Sequence, residues 1–174
     1  MVFVFHRGTG LKEFVMRRIF VATVLGVLGL GVAIAPAAAQ RAPKQSVFES
    51  VTLRSGFRPD PYILRGVSGG DMAARERLGV RQSPTGACLG FIDQRADHRI
   101  KLATHFNYLK LAVESDGDTV LAVRGPGGTW CNDDSSDQDP VIAGEWKAGE
   151  YDVWVGSRQE SRFYPYSLQL TQVK

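Results

Sequence analysis

Short runs in which apolar and polar residues alternate, set between Gly-, Asp- and Pro-bearing turns, constrain this chain more than any other feature. In 98–103, Ile100 and Leu102 oppose Arg99 and Lys101; in 107–114, Leu109, Leu111 and Val113 oppose Tyr108, Lys110 and Ala112. Tyr151, Val153 and Val155 then alternate with Asp152 and Trp154, and Tyr166, Leu168 and Leu170 with Ser167, Gln169 and Thr171. Successive side chains of a strand point to opposite faces, so each run has one face to bury. The stretch 119–124 is more continuously apolar, as a strand covered on both faces or near the sheet centre would be. With almost no helical periodicity beside them, these runs predict an all-β fold: one domain, an antiparallel β-sandwich of jelly-roll-like kind.

Upstream the pattern is looser. SVFESVTL, 46–53, alternates enough for one short strand, and GFRPDPY, 56–62, carries two prolines that fix an extended turn and prevent a helix. GVSGGD, 66–71, is dense enough in glycine to reverse the chain. Asp71 before MAARERL and Gly79 after it predict a helical turn or two, with Asp71 as the N-terminal cap. Residues 40–87 therefore read as a loop-rich lead-in packing on a sandwich core formed by 88–174.

The first 39 residues follow other rules. Met16-Arg17-Arg18, an apolar run over 19–34 and Ala37-Ala38-Ala39 form the pattern of a cleaved secretory signal peptide, with the residues before Met16 an upstream start-site artefact or an extended basic region. The apolar run is short against the roughly 20 residues a membrane span needs, so no span is expected in the mature protein. The whole chain carries a formal charge of +3, but removal of a leader with four basic residues and one acidic leaves 17 of each sign. A near-neutral chain without a basic run has no electrostatic footprint for nucleic acid. Export places the two cysteines, Cys88 and Cys131, in an oxidising compartment, where only one intramolecular disulfide is open to them. Free thiols or a metal pair would need further ligands, and the sequence offers no set for them.

Gly117-Asp118-Thr119 leading into LAVRGPGG, the acidic turn CNDDSSDQDP, and Lys147-Ala148-Gly149-Glu150-Tyr151 opening DVWVGS belong together. With them, 119–171 resembles the bacterial pre-peptidase C-terminal domain, a small β-sandwich found beside secreted peptidases and also alone. GFRPDP, GVSGG and Cys88-Leu89-Gly90-Phe91-Ile92 look like the front half of uncharacterised exported bacterial proteins built on that sandwich. The resemblance carries no catalytic assignment. It implies a periplasmic or extracellular, non-catalytic binding or accessory module whose partner is a protein or a component of the cell-envelope surface.

Chemistry concentrates first in the acidic turn. Ca²⁺ takes six to eight oxygens, largely from carboxylates and carbonyls of one loop. Asn132, Asp133, Asp134, Asp137 and Asp139 could supply them, with Asp116 or Asp118 reaching in from the preceding turn. The spacing is not that of an EF-hand: counted from Asp133, position six is Gln138 and position twelve Gly144. The same residues also suit a solvated turn in which Asp and Asn bond their own backbone. Ser68 in GVSGG resembles the GDSGG around the nucleophile of trypsin-like proteases, and an alternative reading is a secreted serine hydrolase using Ser68 with His98 or His105 and Asp93 or Asp97. Val67 stands where that motif has Asp, and the chain is short for the family's double barrel. The two histidines, flanking one strand, read as surface or capping residues and form no ready zinc pair. Trp130, Trp146, Trp154, Tyr108 and Tyr164 could stack sugar rings, outward Trp154 most of all; the opposing reading packs Trp130 over the disulfide and the others into the core.

Overall fold

The computed structural model describes residues 46–134 and 139–174. The leader and Asp137 lie outside them. In chain order the elements are β1 (Val51–Leu53), β2 (Tyr62–Val67), β3 (Met72–Ala73), α1 (Ala74–Leu78), β4 (Gln82–Ser83), β5 (Gly86–Ala87), β6 (Phe91–Ile92), β7 (His98–Leu102), β8 (Phe106–Ser115), β9 (Thr119–Gly125), β10 (Gly128–Asn132), β11 (Val141–Trp146), β12 (Gly149–Ser157) and β13 (Pro165–Thr171). One sheet runs β10-β9-β12, with β7 and then β1 along the first half of β12, and β6 and then β3 at its end. The other is β11-β8-β13-β2. All these pairings are antiparallel except β1 with β7, where Val51 to Leu53 run parallel to Ile100 to Leu102. The sandwich is thus antiparallel with one parallel edge strand.

The alternation seen in the sequence builds the space between the sheets. Leu109, Leu111 and Val113 of β8, Leu168 and Leu170 of β13 and Leu64 of β2 meet Ile100, Leu102, Leu121, Val123, Val153 and Val155 of the opposite sheet. Complete burial of such a side chain is worth about 1.5–3 kcal/mol. At one end Trp146 packs edge-on to Tyr151, ring centroids 5.0 Å apart, and Trp130 joins them; Trp146 Nε1 donates to Leu109 O at 2.9 Å.

The continuously apolar β9 is covered on both faces. Leu121 and Val123 enter this core, while Val120 and Ala122 point outward into a second one with Ala74, Leu78, Cys88, Ile92, Ala96, Cys131 and Trp154. The lid of that second core is α1 and the strands around it. Cys88 is bonded to Cys131 of β10, tying this layer to the main sheet across 43 positions of sequence. The short helix ends at Gly79 in the left-handed conformation, but its N-cap is Ala73 and no side chain caps it. Asp71 is displaced from the cap because Met72 and Ala73 extend to pair with β6.

The lead-in contributes more strand than its composition suggests. Besides β1 it holds β2, paired over its whole length with β13. Tyr62 to Val67 alternates too weakly, with Gly66 and Arg65 in it, to stand out from the turns on either side.

Candidate functional site

Ser68 follows β2 and is buried, 1% exposed, between the ends of the sheets. Its hydroxyl lies 2.9 Å from Ser157 Oγ and accepts from Tyr164 N at 3.1 Å. The glycines after it have structural work: Gly69 and Gly70 take φ of 124° and 137°, and a Cβ on Gly70 would run into the Ile92–Asp93 backbone. GVSGG is thereby a close-packed reversal, with no room for the exposed nucleophile of a hydrolase.

Neither histidine activates Ser68. His98 is wholly buried, contrary to its expected place at the surface: Nδ1 is 2.8 Å from Glu49 O and Nε2 is 2.7 Å from the Tyr166 hydroxyl. Burial is the main cause holding its pKa below the usual value, so the ring is neutral and bridges the sheets as a hydrogen-bond relay. His105 is about half exposed, with Nε2 3.4 Å from Glu145 Oε1. Asp97, beside His98, is 1% exposed. Its Oδ2 accepts from Val155 N at 2.7 Å, while Oδ1 is buried without a hydrogen-bond partner. Burial above all, with help from the Asp93 charge and against the Val155 bond, pushes its pKa up to about 8. Tyr166 is raised by burial first and then by Asp97 and Asp93. These residues form an internal polar seam that joins the sheets.

Among the described residues, the carboxylates in and before the acidic turn lie in two places. Asp118 is raised chiefly by burial and then by Asp134 and Asp133, and lowered by Arg158, whose Nε is 4.0 Å from Asp133 Oδ2. Asp116 and Asp139 instead line an open groove with Arg65 and Glu114. Asn132 spends its side chain on the fold: Oδ1 accepts from Val141 N at 2.9 Å and Nδ2 donates to Thr85 O at 3.3 Å. Among the described residues no three His, Cys, Asp or Glu side chains converge where a metal ion could sit.

The aromatic expectation is corrected as well. Trp154 does face outward from β12, opposite Val153 and Val155, yet it is only 2% exposed because α1 covers it. Trp130, one residue before Cys131, points to the other side of β10 and packs on Trp146 and Tyr151, so it does not lie over the disulfide. No exposed row of rings results from Trp130, Trp146 and Trp154.

At the edge of the second core, where α1, the 94–96 loop, β7 and β12 meet, is a groove of about 270 Å³. Buried Trp154 and Ala96 give it apolar lining, and Arg77, Arg95 and Arg99 give it charge. Arg99 is paired with Asp152, Nη2 to Oδ1 at 2.8 Å, and Arg77 lies over the Trp154 ring, 5.4 Å from its centroid, while donating from Nε to Gln94 O at 2.7 Å. On β9, the other neighbour of β12, Arg124 stands opposite Asp152 and donates to Leu78 O. The sequence signal for this cluster was present only as Arg99 and Asp152 on outward positions of two strands; their pairing in register required the sheet order.

No family model matches the chain. An uncharacterised protein of Synechococcus elongatus is 30% identical over 86 residues, a match covering 47% of this chain and 63% of that protein. The chain therefore spans under two thirds of the curated relative it matches. Among solved structures it is similar to the pre-peptidase C-terminal domain of a Bacillus anthracis collagenase, with 9% identity, 71% of this chain and 96% of that one covered, and a TM-score of 0.42. It is also similar to PliG, a periplasmic inhibitor of g-type lysozyme from Aeromonas hydrophila, with 14% identity, the same coverages and a TM-score of 0.39.

Proposed function

We propose that this chain is an exported, non-catalytic binding or accessory module that associates with a protein or a cell-envelope surface component. The observation that carries the reading is the internal use of its reactive side chains. The Ser68 hydroxyl is spent on Ser157 and Tyr164, and both ring nitrogens of His98 are spent on Glu49 and Tyr166. A nucleophile without a hydrogen-bonded base has no route to activation. The disulfide supports an oxidising compartment, periplasmic or extracellular. Among the described residues no helix is long and apolar enough to cross a membrane.

The test has two arms. Purified mature protein is assayed against ester and peptide substrates, and the expected result is no turnover; activity abolished by Ser68→Ala would restore the hydrolase alternative. In parallel, cross-linking in intact exporting cells, followed by reconstitution with the purified partner, is expected to give a stoichiometric complex. A chain that stays uncross-linked under those conditions sinks the association reading.

A further inference from the structure

We infer that the groove between α1 and β12 is a recognition site for carboxylate side chains on an acidic peptide segment of a protein partner. This deepens the association reading and rests on it. Of the charges lining the groove, Arg99 and Asp152 neutralise each other, leaving Arg77 and Arg95. Arg77 uses only its Nε, on Gln94 O, and lies on an indole. Arg95 is exposed on its loop, and among the described residues it makes no hydrogen bond; the carboxylate that feels its charge is Asp93. Two guanidiniums thus keep donors directed by no carboxylate within the groove, beside a buried ring that excludes water. A guanidinium presents its donors as a planar fork that fits a carboxylate in two parallel bonds.

Size and lining select the ligand. At about 270 Å³ the groove is below the roughly 300–1,000 Å³ of small-molecule clefts and suits one or two side chains. A bare oxyanion such as phosphate would engage the arginines and leave the rest of the groove to water. The methylenes of a glutamate fill that space beside the edges of Trp154 and Ala96 while its carboxylate reaches Arg77 and Arg95.

The test is calorimetric titration of the mature chain with an acetylated and amidated hexaglutamate, the matching hexaglutamine and inorganic phosphate. Expected are saturable binding of hexaglutamate that weakens with salt, no binding of hexaglutamine, and phosphate weaker than the peptide. Arg95→Gln and Arg77→Gln should each weaken the peptide roughly tenfold, the loss of one charge-assisted hydrogen bond, while Arg54→Gln, an exposed position outside the groove, leaves it unchanged. Arg77→Gln touches α1 packing, so Arg95→Gln decides if that variant melts early. Absence of hexaglutamate binding, equal loss in Arg54→Gln, or phosphate binding as tightly as the peptide overturns the inference. If hexaglutamate fails while cross-linking still captures a partner, the groove assignment falls and the association reading stands.

Discussion

Asp97 makes the pH dependence of stability a direct reading of the fold. It is 1% exposed and its pKa is pushed up to about 8, from an ordinary 3.8, chiefly by burial. Between those values the native state holds a proton that the unfolded chain has released. The stability Asp97 contributes is therefore fully present below about pH 4 and is lost as pH rises toward 8, at about 1.4 kcal/mol per pH unit. From pH 5.5 to 7.5 that is roughly 3 kcal/mol. For a domain of this size the change lowers the melting temperature by roughly 10 °C. His98 works in the opposite direction over part of the window, since its depressed pKa gives stability that is lost as pH falls through the unfolded value. The two are separated by subtraction. Asp97→Asn keeps an oxygen to accept from Val155 N and has nothing to ionise, whereas His98 is common to both proteins. Urea unfolding at pH 5.5, 6.5 and 7.5, disulfide intact, should show the wild type losing roughly 3 kcal/mol relative to the variant across the series. Parallel pH profiles for the two proteins would refute the assignment of a proton to buried Asp97.

Other perturbations test the layers separately. Reduction, or Cys88→Ala with Cys131→Ala, should cost up to about 4 kcal/mol by releasing a 43-residue loop, read as a fall in the denaturation midpoint; an unchanged midpoint would remove the staple from the account. Trp154→Ala should cost about 3–5 kcal/mol as a buried residue of the second core, where an exposed sugar platform would lose almost nothing; unfolding of the variant decides between them. Millimolar Ca²⁺ against EDTA should leave the melting temperature unshifted if the described carboxylates act alone. A rise that Asp118→Asn abolishes would instead establish an ion site at the acidic turn.

The recurrence at every second position of Ile100 and Leu102, of Leu109, Leu111 and Val113, and of Tyr166, Leu168 and Leu170 determined the sandwich from sequence alone, because a strand has one side-chain period and water penalises the wrong face. The apolar run within 119–124 likewise announced a strand covered on both faces or near the sheet centre, and two cysteines in an oxidising setting left one intramolecular pairing. What the sequence left open was which surface covers which strand. Trp154 is outward by alternation and buried by α1, a contact between residues about 77 positions apart that no local pattern records. Among the described residues, carboxylates that are neighbours in the chain are found in two places, Asp118 toward Asp133 and Asp134 and Asp116 in a groove with Asp139. Arg77, Arg95, Arg99 and Asp152 are scattered in the chain and gathered by sheet order into one groove. Period and redox setting are local properties, fixed residue by residue; the burial of Asp97, the lid over Trp154 and the arginine groove arise only when distant strands pack and exclude the water between them.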